Sequence, residues 1–98
     1  MLKKINRELM VEAAVLDVAV YVAPENLQEV SRIAQKEIKE LFAHRIVNGK
    51  EEMIEIDERE MGQAREFTRK TVRKALDIVR ERHRDDPIKT LEIFGEKH

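Results

Sequence analysis

A mostly α-helical fold is predicted by three features of the 98-residue chain. Two long stretches, 25–43 and 58–83, repeat apolar residues at three- and four-residue steps, the period of one helix face. An Asn48-Gly49 pair flanked by short apolar runs lies between them and signals a hairpin. The architecture expected is three main helices, a short β-hairpin before the third and a short C-terminal helix, in a single domain over residues 1–98. The alternative is an α+β arrangement with residues 15–22 as a strand pairing near 51–56.

The first 23 residues admit both readings. As a helix, Leu2, Ile5, Leu9, Ala13, Leu16 and Val20 make one stripe at three- and four-residue steps. As a strand, Leu16, Val18, Val20 and Val22 face one way and Val15, Asp17, Ala19 and Tyr21 the other. The valines between 15 and 22 favour the strand through their stiff χ1, while the pattern running unbroken from Leu2 favours the helix. Pro24 ends either element, because the residue before a proline avoids the α region.

The second helix is expected to start at Pro24 or Glu25, since proline has no N–H to lose in a first turn. Glu25 and Glu29 sit at its positive end. Leu27, Val30, Ile33, Ala34, Ile38, Leu41 and Phe42 form its apolar arc. In the hairpin, Ile54 and Ile56 point to one face and Met53 and Glu55 to the other. Two strands alone are marginal, so the hairpin has to lean on the helices or on a second chain. Asp57 and Glu60 have capping-box spacing for the third helix. Its expected buried stripe is Met61, Ala64, Phe67, Thr68, Thr71, Val72, Ala75, Ile78 and Val79. Asp86 and Pro87 then restart the chain into a short helix with Ile88, Leu91 and Phe94 on one face.

Composition narrows the function classes. Charged residues make up 40 % of the chain against about 25 % in an average globular protein. The net charge is nevertheless only −1, which excludes a globally basic nucleic-acid coat and an acidic tail. The absence of cysteine excludes disulfides, thiolate metal sites and thiol nucleophiles. Glu12 and Asp17 interrupt the apolar run from Leu9 to Ala23, which is too short for a bilayer span of about 20 residues. The expectation is a cytoplasmic protein without a membrane segment. Abundant ionic residues beside few amides and hydroxyls resemble a thermophile composition.

Charge is distributed unevenly. Residues 45–61 carry three positive and six negative side chains, and residues 62–84 carry eight positive and three negative. On a helical wheel Arg65, Arg69, Arg73, Arg80 and Arg84 fall within about 100° of one another. Such a row suits carboxylates on an acidic protein partner, or the phosphates of a nucleic acid. A purely solvated face is the competing explanation, because Glu66–Lys70 and Arg73–Asp77 have the spacing of neutralising i,i+4 pairs. With Phe42, Phe67 and Phe94 on buried stripes, only Tyr21 is left to stack on a base.

No catalytic constellation emerges. The three histidines, His44, His83 and His98, form no paired metal motif, Ser31 lies inside a helix, and the three glycines are too dispersed to cradle a phosphate. Neither a cofactor nor a metal is expected. An enzyme would have to build its site at a subunit interface, with Glu12, Asp17 and His44 as contributors. The apolar surplus of the first segment points instead to self-association, on Leu9, Val11, Val15, Val18 and Val22, and a homodimer is expected. A non-enzymatic, homo-oligomeric protein-interaction module leads; a backbone-directed, salt-sensitive DNA- or RNA-binding protein comes second.

Overall fold

The computed structural model describes residues 1–84. Three helices pack together, and a small three-stranded antiparallel sheet covers one end of them. Helical residues, the short 3-10 turns included, take up 71 % of what is described, so the fold is mostly α. The chain runs β1 (Leu2–Asn6), α1 (Arg7–Asp17), α2 (Pro24–Leu41), β2 (Ile46–Val47), β3 (Lys50–Asp57) and α3 (Met61–Arg82). The expected helix over 86–94 lies outside the described residues.

The ambiguous first segment divides at Asn6. Its side chain accepts a hydrogen bond from the Leu9 N–H at 3.0 Å, which caps α1 and fixes where helix begins. Residues before the cap form a strand antiparallel to β3, with Leu2 opposite Asp57 and Asn6 opposite Met53. The strand beside 51–56 is thus residues 2–6, not 15–22. The stripe from Leu2 through Ile5 to Leu9, which looked continuous, crosses a strand-to-helix junction. The hairpin obtains its third strand from the chain's own N-terminal segment.

Residues 15–22 are not extended. Val11, Val15, Val18 and Val22 follow a 4-3-4 spacing, and all four are buried. Val18 and Val22 lie beyond the end of α1, where a 3-10 turn at Ala19–Tyr21 carries the chain over to α2. The strand alternation would have put Leu16 and Val20 with Val18 and Val22, yet Leu16 and Val20 face solvent. Pro24 takes the first turn of α2 as expected.

The main core joins these valines to Val30, Ala34 and Ile38 of α2 and to Val72, Ala75, Leu76 and Val79 of α3. A smaller cluster of Ile54, Ile56 and Ala64 lies beneath the sheet, and Met10 and Phe42 touch both clusters. Gly49 adopts φ +81°, and no non-glycine residue described has positive φ. Asn48 is therefore not left-handed, and the turn follows the type II pattern with glycine at its second central position, not the type I′ form that requires both. The Asp57–Glu60 capping box forms, over a 3-10 turn at Glu58–Glu60 that precedes α3.

Ile38 is fully buried at the meeting of the three helices. Ile38→Ala is expected to cost about 2–5 kcal/mol of unfolding free energy by loss of apolar contact and a residual cavity. Exposed Lys36→Ala is expected to stay within about 0.5 kcal/mol. Urea unfolding of the two variants side by side checks both.

Candidate interaction surface

With its valines turned inward, α1 directs Leu9 and Leu16 outward at 65 % and 69 % exposure, with Ala13 exposed between them. Val20 and Tyr21 extend the exposed apolar surface beyond the helix, and Leu2 of β1 is also exposed. Of the residues expected to mediate self-association, Leu9 is thus at the surface, while Val11, Val15, Val18 and Val22 belong to the chain's own core.

Between α1 and α3 runs an open groove of about 560 Å³. Ile5, Leu9, Met10, Ala13 and Met61 supply apolar lining, and Arg65 and Arg69 of α3 and Asp17 of α1 supply charge. Arg73 and Arg80 continue the row past Val18, Tyr21 and Leu76. Arg65, Arg69, Arg73, Arg80 and Arg84 are all exposed. Arg80 donates to the Tyr21 carbonyl at 3.5 Å, and Arg84 pairs with Glu81 at 2.9 Å. Among the described residues, Arg65, Arg69 and Arg73 have no ion-pair partner within 4.0 Å. The two i,i+4 pairs that would have neutralised the α3 face are not closed.

The other flank of α1 is acidic. Glu12 accepts from the Ser31 hydroxyl at 2.6 Å and from Gln35 Nε2 at 3.2 Å. Gln35 Nε2 also donates to the Glu8 carbonyl at 3.1 Å, which ties this flank to α2. Both glutamates are exposed. The exposed leucines therefore lie between a basic flank on α3 and an acidic flank beside α2.

Glu12, Asp17 and His44 do not converge. Glu12 faces α2, Asp17 lines the α1–α3 groove, and His44 lines a second groove of about 200 Å³ on another side of α3. Phe67 lines that second groove and is 54 % exposed, not buried as its apolar stripe suggested. It sits at the margin of the α3 arc, where the wheel places it away from Ala64, Thr68 and Val72. Beside it Arg45 holds Glu60 through two hydrogen bonds of 2.7 and 3.2 Å. Among the described residues, no group of three or more His, Asp or Glu side chains is placed to hold a metal ion. No described helix is long and apolar enough to cross a membrane.

The sequence reading missed Arg7, which is only 3 % exposed at the start of α1. Its Nη2 donates to the Glu51 carbonyl at 3.2 Å, and its Nε has no partner among the described residues. One more arginine in a charged N-terminal run gave no signal of burial. Compared with protein-family models, curated proteins and solved structures, the chain matches none.

Carboxylates anchor the ends of α3. Hydrogen bonding from Arg82 holds the Glu29 carboxyl below its ordinary value of 4.5, with His83, 3.4 Å away, acting in the same direction. Hydrogen bonding from Arg45, then from the Asp57 N–H, lowers Glu60 likewise. Carboxyls with lowered folded-state pKa stabilise above their unfolded values and lose that contribution as pH falls through the folded ones. The melting temperature is accordingly expected to drop as pH decreases below about 4.5. A Glu29→Gln, Glu60→Gln double variant should melt lower at neutral pH and show a shallower acid limb, measured by circular dichroism.

Proposed function

We propose that this chain is a small, non-enzymatic, homo-oligomeric protein-interaction module working in the cytoplasm. The observation that carries this reading is the pair of leucines, Leu9 and Leu16, facing outward from a helix whose inner face already fills the core. Large contiguous apolar surface is seldom left to water, and exposed Ala13, Val20 and Tyr21 add to that of the two leucines. The chain's charge excess keeps the remaining surface soluble, and the net charge of −1 imposes little repulsion between copies. Arg65, Arg69, Arg73 and Arg80 beside the leucines suit carboxylates of a protein surface.

Light scattering at tens of micromolar is expected to give twice the chain mass for the wild type. Leu9→Glu with Leu16→Glu is expected to return the single-chain mass with an unchanged circular dichroism spectrum. A wild type that stays at single-chain mass overturns the reading.

A second reading draws support from Arg65, Arg69 and Arg73, which have no ion-pair partner among the described residues and would suit a phosphate backbone in a salt-sensitive DNA or RNA complex. It predicts duplex binding at about 50 mM salt that weakens steeply by about 200 mM. Arg69→Glu with Arg73→Glu should abolish it. Binding that is absent at the lower salt retires this alternative.

A further inference from the structure

We infer that the outward face of α1 pairs with a second copy of itself in parallel, about a two-fold axis running along the helix, so that Arg65 and Arg69 of one chain meet Glu8 and Glu12 of the other. The inference rests on the self-association reading and adds its geometry.

The argument is one of symmetry and charge. Leu9 and Leu16 lie within about 20° of each other on the α1 wheel, and Ala13 between them is small enough to let two helices approach closely. On the α3 side of this line stand Arg65 and Arg69, with Asp17 of α1 at the far end of the same groove and the flank still net positive; on the α2 side the helical wheel places Glu8 beside Glu12. All four are exposed, and neither arginine has an ion-pair partner among the described residues.

A two-fold interface can align α1 with its copy in two ways. An axis across the helices makes them antiparallel and brings each flank over its own counterpart, arginine against arginine and glutamate against glutamate. An axis along the helices makes them parallel and brings the α3-side flank of one chain over the α2-side flank of the other. Only the second arrangement sets opposite charges on both sides of the leucine contact. Juxtaposed like charges disfavour the first, so the same residues that attract in one register exclude the other.

A charge swap tests the arrangement with intact chains. The Arg65→Glu, Arg69→Glu variant and the Glu8→Arg, Glu12→Arg variant should each weaken the dimer by about tenfold or more in sedimentation velocity, since each alone sets like charges together twice. Mixed in equal amounts they should associate again, because every contact across the mixed pair is then between opposite charges. Recovery on mixing cannot come from a variant that merely fails to fold.

If the mixture stays dissociated, or if both variants remain dimers, the parallel pairing is overturned. A wild-type dimer that Leu9→Glu with Leu16→Glu dissociates, but that neither charge swap affects, removes this geometry and keeps self-association through α1. In that case the arginines are left to another, acidic partner. A wild type of single-chain mass removes both.

Discussion

Val11, Val15, Val18 and Val22 close the space between α2 and α3, and that packing sets the direction of the other side chains of α1. Their neighbours across the core include Ala34 and Ala75, both fully buried, which let the three helices come close. Once Val11 and Val15 point inward, Leu9 and Leu16 have to point outward, because the two pairs lie about 130° apart around the helix. Exposure of the leucines is therefore a consequence of core formation and not an independent surface feature. Moving them inward would expose the valines and leave the apolar surplus unchanged.

Much of the architecture is legible in the sequence because its signals are local. Pro24 marks the start of α2, the Asp57 and Glu60 pair marks the approach to α3, and Ile54 with Ile56 gives the buried side of β3. The first segment is harder because Leu2, Ile5 and Leu9 suit a helical period, although the chain there is a strand that turns into a helix at Asn6. What settles it is the pairing of residues 2–6 with the far side of β3, a long-range contact with no local signature. Both faces of α1 were visible as patterns, but the choice between them depends on the widths of α2 and α3 where they meet it. Phe67 was misplaced for a similar reason, since a stripe drawn on one helix does not show where neighbouring helices stop covering it. Arg7 is legible at no level below the assembled fold.

The charge pattern follows the same logic. Acidic residues of 45–61 are largely spent on architecture: Glu60 on Arg45 and the cap, Asp57 on the first turn, Glu51 on Lys39. They leave Arg65, Arg69 and Arg73 uncompensated by described partners, even though the chain as a whole is near neutral. A net charge thus says little about a face when most opposite charges are committed at the ends of elements.

The pairing of β1 with β3 has a consequence for the order of assembly. The sheet joins the start of the described chain to a strand that comes only after both α1 and α2, so its closure loop encloses two of the three helices. Contacts of that span are costly in loop-closure entropy, as are those between α1 and α3, and both wait until local elements have shortened the distance. The α1–α2 contacts of the valine core, between helices adjacent in the chain, are the natural early structure, and the β1–β3 ladder together with the docking of α3 locks a chain already folded back on itself. In the reverse direction, release of β1 frees the N-terminal end of α1 first, so the helix that presents the leucines is tethered at that end by its sheet strand.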